Sequence, residues 1–118
     1  MEAFRDIRLE FGADGIAVVS LDVRGAPLNP LSDSIVAELD QALDAVLARD
    51  GVRGLVITSA KPAFAAGWNL KELVEQMAST RDAADLYSRT PGLSRFLRRL
   101  ETCGKPSAAA ITGLALGG

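Results

Sequence analysis

The stretch "GLVITSAKPAFAAGWNL", residues 54 to 70, decides which fold we expect for this chain. Its first six residues are a short continuous apolar run, which is typical of a buried β-strand. Small residues and a glycine follow, and then comes Trp68, the only tryptophan in the chain. Asn69 is a favourable helix N-cap, and Glu72 three residues later completes the pattern of a capping box. The stretch therefore predicts a strand, a tight turn and a helix in succession, which is typical of an α/β protein.

The segments before this stretch predict a β-hairpin followed by a helix. Residues 7–11 and 15–23 are rich in β-branched and aromatic residues, with a short turn signal between them. A loop with two prolines and a glycine comes next. Ser32 or Asp33 is suited to cap the helix that follows, and Gly51 to lie just past its end. The apolar face of that helix carries Ile35, Leu39, Leu43, Val46 and Leu47.

The segments after the stretch predict two further helices and a final strand. The helix that follows the tryptophan has an apolar face, and a polar helix is predicted from about Arg81. A break at "TPG" precedes another amphipathic helix, with Thr90 as its cap and Pro91 as its first residue. Residues 108–112 predict a strand before the last glycines. The expected order of elements is ββ-α-β-α-α-β.

The composition limits the classes of function. A chain of 118 residues is expected to form at most one domain, residues 1–118, and its net charge of −2, without blocks of like charge, gives no reason to expect nucleic-acid binding. Histidine is absent, so the commonest general base and metal ligand is missing. Cys103 is the only cysteine, and no segment approaches the ~20 apolar residues that span a bilayer. We expect a cytoplasmic protein without a membrane segment or a metal site.

Two glycine-containing turns are the places where chemistry is expected. The N–H of Trp68 is predicted to lie at a helix entrance, where donors lack intrahelical partners and negative charge is favoured. The strand at 108–112 also runs into glycines, so the N–H of Gly117 or Gly118 is a second candidate donor. Two such amides on one carbonyl oxygen form an oxyanion hole, which needs no histidine. From spacing alone, plain packing of small residues at a strand-to-helix turn is the commoner explanation.

Three segments of the chain carry a family resemblance, and in order they are "LDV" with "APLNPLS", "GVRGLVITSAKPAFAAGWNLKEL" and "CGKPSAAAITGLALGG". Together they resemble the N-terminal part of the enoyl-CoA hydratase/isomerase (crotonase) superfamily over essentially the whole chain. The first resembles the family's Pro-x-Asn-x-Leu loop, carried here by Pro27, Asn29 and Leu31. The second and third resemble its two oxyanion segments, except that Asn69 stands where the family commonly has Asp. The resemblance implies a crotonase-like ββα spiral, of which this chain is the N-terminal part.

The resemblance also implies a site for an acyl-CoA thioester, which is the substrate, with no separate cofactor. The backbone amides of Trp68 and Gly118 correspond to the two donors that hold the thioester carbonyl and stabilise an enolate. The indole of Trp68 is expected either to line the acyl or CoA pocket or to pack in the core. The residues that the resemblance places along CoA are Ala63, Ala65, Ala66, Gly67, Asn69, Leu70 and Gly117.

The activity that the resemblance implies is hydration of a 2-enoyl-CoA in fatty-acid degradation. The loop at 24–32 also looks like the hydratase part of multifunctional β-oxidation proteins, in which a 3-hydroxyacyl-CoA dehydrogenase would follow. Isomerase, dehalogenase and hydrolase activities stay open, as does a non-catalytic module for CoA binding or subunit assembly. The family's catalytic glutamates lie downstream of Gly118. We therefore expect an N-terminal piece of a longer enzyme, inactive by itself, whose parent forms trimers or hexamers.

Two further groups of residues have alternative interpretations. A loose basic group could meet CoA phosphates, although a solvated helix face is the simpler interpretation. Its members are Arg89, Arg95, Arg98 and Arg99. Cys103 is expected to be a small buried residue, since the chain has no histidine to activate a thiol.

Overall fold

A computed structural model describes residues 4–85 and 92–117. The strands are β1 (Ile7–Phe11), β2 (Ile16–Leu21), β3 (Gly54–Ser59), β4 (Ala65–Ala66), β5 (Ser107–Ala109) and β6 (Ala115–Leu116). The helices are α1 (Asp33–Ala48), α2 (Leu70–Ser79) and α3 (Gly92–Thr102). The expected Thr90 cap, Pro91 start and Gly118 donor lie outside the described residues. The helix expected from about Arg81 is described only as far as Asp85, with residues 83–85 helical.

The main sheet has four strands in the order β1-β2-β3-β5. Strands β1 and β2 pair antiparallel with Leu9 opposite Val19, which confirms the predicted hairpin. Strand β3 runs parallel to both β2 and β5. Parallel neighbours need a crossover connection, and α1 supplies the one between β2 and β3.

Helix α1 begins and ends much as its sequence predicts. Of the two candidate caps, Ser32 is the N-cap, and its Oγ accepts a hydrogen bond of 3.4 Å from the Ile35 N–H. Gly51 lies three residues beyond Ala48 with a φ of +85°, a left-handed conformation that glycine adopts without strain. The buried residues of this helix are Ile35, Val36, Leu39, Ala42, Leu43 and Val46.

The core lies between α1 and the sheet. In β2 every second residue is buried, namely Ala17, Val19 and Leu21, as expected for a strand with one face against a helix. Helix α3 closes one side through the buried Phe96 and is tied to α1 by ion pairs from Arg99. No helix among the described residues is long and apolar enough to cross a membrane.

The strand predicted over 108–112 is shorter than expected. It ends at Ala109, because the chain soon turns at Gly113, where φ is +65°. A Cβ at this glycine would lie 2.3 Å from the Pro62 carbonyl oxygen, so only glycine permits this close passage. The turn leads into β6, which pairs parallel with β4 in a separate two-stranded sheet.

Candidate functional site

The first candidate segment is the connection from β3 to α2. Gly67 has a φ of +82°, which allows the chain to turn between β4 and the helix entrance. Asn69 caps α2, and its Oδ1 accepts a 3.1 Å hydrogen bond from the Glu72 N–H, as predicted. The reciprocal half of the capping box is wrong. The Glu72 carboxylate accepts instead from the Asp33 N–H at 3.0 Å, and the Asn69 N–H donates to the Leu31 carbonyl.

The second candidate segment lies directly against the first. Strands β4 and β6 pair with Ala65 opposite Ala115, so the residues that follow each strand are brought together. A Cβ at Gly117 would lie 3.0 Å from the Gly67 Cα and 3.8 Å from the Trp68 nitrogen. The two glycine turns therefore lie against each other. Gly118 itself lies outside the described residues.

The backbone N–H of Trp68 is the free donor at this junction. Leu31 bonds to the residues on either side of it, donating to the Gly67 oxygen at 2.7 Å and accepting from Asn69 at 2.6 Å. In a parallel bridge of this kind, the N–H of Trp68 itself faces away from Leu31. It donates to no oxygen of residues 4–85 and 92–117. This amide can therefore accept a ligand oxygen as its partner.

The indole of Trp68 packs against the hydrophobic core. This contact favours the core over the ligand pocket, the two roles left open by the sequence. Its Nε1 is buried and has no hydrogen-bond partner among residues 4–85 and 92–117. A buried donor without a partner costs about 1–3 kcal/mol, so the indole is held here by the apolar contacts of its rings rather than by its N–H.

The side chains expected along CoA differ in exposure. Ala63 and Ala65 are buried, Ala66 and Asn69 are half-buried, and Leu70 is 74% exposed at the start of α2. Ala63 and Ala65 are thus largely covered, backbone included, by the rest of the described chain. Leu70 has most of its surface exposed, as has Val74 one turn further along.

The sequence did not assign a role to Asn29, which the structure connects to this site. Its side chain is fully buried and hydrogen-bonds to Ser59 and to the carbonyl of Phe64. Ser59 is the last residue of β3, and Phe64 immediately precedes β4, so the two partners lie at the two ends of the connection between these strands. The only sequence signal for this role was the position of Asn29 within the Pro-x-Asn-x-Leu loop.

Two members of the basic group, Arg98 and Arg99 of α3, are engaged in ion pairs. Arg98 bonds to Glu101 at 2.8 Å, and Arg99 contacts both Asp40 and Asp44 of α1. The hydrogen bond with Asp44 raises the pKa of the Arg99 guanidinium. These contacts favour a structural role for this face of α3. The fourth member of the group, Arg89, lies outside the described residues.

The remaining features of the described chain add little polar chemistry. Cys103 is half-buried, and its Sγ lies 3.2 Å from the Leu100 carbonyl oxygen. Residues 4–85 and 92–117 contain no cluster of three or more His, Cys, Asp or Glu that could hold a metal ion.

An apolar cavity of about 350 Å³ lies between α3 and the sheet. Its lining includes Leu21, Ile57, Phe64, Phe96, Ala109 and Ile111.

Comparison with known protein families decides the assignment. The family model for enoyl-CoA hydratase/isomerase matches residues 12–118. The chain belongs to the enoyl-CoA hydratase/isomerase family. Residues 12–118 include both converging glycine turns and the Asn29 loop, so the whole candidate site lies within the matched region.

Two relatives show the kind of protein in which similar sequences occur. The chain is 34% identical over 104 residues to the fatty acid oxidation complex subunit alpha of Pseudomonas syringae. It is 36% identical over 111 residues to the glyoxysomal fatty acid beta-oxidation multifunctional protein MFP-a of Brassica napus. The alignments cover 88% and 93% of this chain but only 14% and 15% of the relatives. The chain thus spans about one seventh of the length of each of these two relatives.

A solved structure confirms the expected crotonase fold. An enoyl-CoA hydratase from Shewanella pealeana superposes with a TM-score of 0.84 at 21% sequence identity. The match covers 96% of this chain and 41% of that one. The elements described here therefore correspond to less than half of a family member of known structure.

Proposed function

We propose that this chain supplies the thioester-binding part of an enoyl-CoA hydratase-type active site that acts in fatty-acid β-oxidation. The observation that carries the proposal is the Trp68 N–H, which has no partner among the described residues and whose nitrogen lies beside the turn at Gly117. Family membership and the fatty-acid oxidation relatives support the acyl-CoA substrate class.

In the proposed reaction, the Trp68 amide donates a hydrogen bond to the thioester carbonyl oxygen. Addition of water to C3 of a 2-enoyl-CoA moves negative charge onto that oxygen, and a fixed donor stabilises the resulting enolate. The amide of Gly118 is the proposed second donor. The turn glycines Gly67 and Gly117 lack side chains, so a ligand can approach the backbone closely.

The acid–base groups of the reaction are not assigned among these residues. Glutamates beyond Gly118 are proposed to activate water and protonate the α-carbon, as the family resemblance implies. The 118 residues by themselves are then proposed to bind the thioester without turning it over. No cofactor besides the acyl-CoA substrate is proposed, and the full protein is proposed to be cytoplasmic and to form trimers or hexamers.

The CoA part of the substrate is proposed to run along the first oxyanion segment. The backbone of Ala63, Ala65 and Ala66 would face adenine and pantetheine. Asn69 and Leu70 are proposed to continue the contact with CoA, where α2 begins.

Binding of matched ligands tests the proposal. Isothermal titration would compare butyryl-CoA with S-butyl-CoA, a thioether in which a methylene group replaces the carbonyl. One neutral amide–carbonyl hydrogen bond contributes about 0.5–1.5 kcal/mol net, which predicts up to about tenfold tighter binding of the thioester. Equal binding of thioester, thioether and free CoA would instead support the non-catalytic CoA-binding module. Absence of binding by all three would contradict both functions for this chain.

A further inference from the structure

Asn29 is a polar residue in a place where polar residues need complete hydrogen bonding. It lies in the loop between β2 and α1 and is 0% exposed. Its Oδ1 accepts from the Val23 N–H at 3.0 Å, and its Nδ2 donates to the Ser59 Oγ at 2.8 Å and the Phe64 oxygen at 3.1 Å. The amide thus uses its acceptor and both of its donor hydrogens. A buried polar network of this kind is stabilising only when each member is satisfied.

The network holds the connection between β3 and β4 at several points. The Ser59 Oγ, which accepts from Asn29, donates to the Ala63 oxygen at 2.7 Å and accepts from the Lys61 N–H at 3.0 Å. The backbone oxygen of Asn29 accepts from the Ala66 N–H at 2.9 Å. The loop that precedes Gly67 is therefore fastened to Asn29 directly or through a single hydroxyl.

The same loop also bonds to the backbone on both sides of the Trp68 amide. Two residues after Asn29, Leu31 brackets Trp68 through its hydrogen bonds to Gly67 and Asn69. The backbone at 29 and 31 thus fixes one side of residues 66–69, while the Asn29 side chain fixes the preceding turn. Both sets of bonds determine where the Trp68 N–H lies.

We propose that Asn29 is a positioning residue for the thioester site. It acts through the backbone of residues 63–66 and sets the direction of the Trp68 N–H without touching the ligand. Only its effect on thioester binding rests on the function proposed above, since the hydrogen bonds exist without a ligand. An oxyanion donor must be held in place before the ligand arrives, and a displacement of about 1 Å can cost about 100-fold in rate.

The chemistry at position 29 explains why an amide is needed there. Alanine would leave the Val23 N–H and the Phe64 oxygen without these partners. Aspartate has nearly the same size but no donor, and it would place a carboxylate oxygen against the Phe64 oxygen. We therefore expect Asn29→Asp to disturb the site as much as Asn29→Ala does.

Amide hydrogen exchange tests the positioning role without any ligand. In Asn29→Ala, the Ala66 and Asn69 amides should exchange at least about tenfold faster, while amides of β1 and β2 change less. Val46→Ala is the matched control, because it removes buried volume from α1, where Val46 is 1% exposed. Val46→Ala should speed amide exchange in general, with no larger effect at residues 63–69 than elsewhere. Equal effects of the two variants on these residues would overturn the inference.

Ligand discrimination provides the second test. The ratio of the butyryl-CoA and S-butyl-CoA affinities should fall toward 1 in Asn29→Ala and Asn29→Asp, and should stay at its wild-type value in Val46→Ala. A purely structural role would lower the affinities of both ligands and leave the ratio unchanged, which would overturn the inference. If the wild-type ratio is already 1, the proposed function fails, and the exchange experiment alone decides the role of Asn29.

Discussion

At the scale of single residues, the site depends on two glycines that touch. Gly67 and Gly117 both have positive φ, and the missing side chain of Gly117 is what lets the two turns meet. Their place at the ends of strand-like segments was predictable from the sequence. The hydrogen bonds from the Asn29 side chain to Ser59 and Phe64 were not, because these partners lie 30 and 35 residues away along the chain and no local pattern reports them.

Gly117→Ala should damage the site more than its backbone strain alone explains. The new Cβ would lie 3.0 Å from the Gly67 Cα, so the turns must move apart. A left-handed alanine costs about 1–2 kcal/mol by itself. Gly51→Ala is the control, since Gly51 has a φ of +85° and nothing within 4 Å of its Cβ position.

We expect urea unfolding to show a larger loss of stability in Gly117→Ala than in Gly51→Ala, and only the former to weaken thioester binding. The same loss of stability in both variants, with thioester binding intact, would mean that the contact between the turns does not matter.

At the scale of elements, α2 is attached in an unusual way. None of its residues is buried, and Leu70, Val74 and Met77 form an exposed apolar stripe. Polar contacts hold it, including a 2.9 Å bond from the Gln76 amide to the Asp33 carboxylate. Its start was predictable from the Asn69 cap. Its apolar face was predicted from periodicity as well, but the exposure of that face was not, because periodicity does not identify what covers a face.

We predict that α2 is less protected from hydrogen exchange than α1. Local stability follows buried apolar contact, and α1 has six buried residues where α2 has none. Exchange measured residue by residue should therefore be faster in the middle of α2 than in the middle of α1. Equal protection of the two helices would show that the polar contacts to Asp33 stabilise α2 as well as core packing would.

The short strands mark the limit of what the sequence can predict at this scale. Strands β4 and β6 have two residues each, too few to show an alternating pattern. The end of β5 was misplaced because the apolar run continues to Ile111 while the backbone leaves the sheet. What decides the turn is the contact between Gly113 and the Pro62 oxygen, which is not local in sequence.

At the scale of the whole molecule, one face is open. Residues 107–117 are all exposed and contain no charged side chain, and β5 pairs on only one side among the described strands. An uncharged, exposed edge strand is a site for association between chains. The apolar cavity beside α3 borders the same face at Ala109 and Ile111.

Self-association at micromolar concentration should therefore depend on this face. Ile111 is 58% exposed, and Ile111→Lys places a charge beside the open edge. Val74→Lys is the matched control, because Val74 is 64% exposed on α2. Light scattering after size exclusion should show a smaller average mass for Ile111→Lys only. An unchanged mass in Ile111→Lys would exclude this face as the site of association.

The measurement that tests the central claim most directly is thioester preference in two variants of Trp68. Trp68→Pro removes the backbone N–H, whereas Trp68→Phe keeps it and removes only the indole, whose Nε1 has no hydrogen-bond partner in the part of the chain that the structure describes. Circular dichroism must first show both variants folded. We predict that Trp68→Phe retains the preference for butyryl-CoA over S-butyl-CoA and that folded Trp68→Pro loses about tenfold of it. Equal preference in the two variants would contradict the assignment of the Trp68 amide as the oxyanion donor.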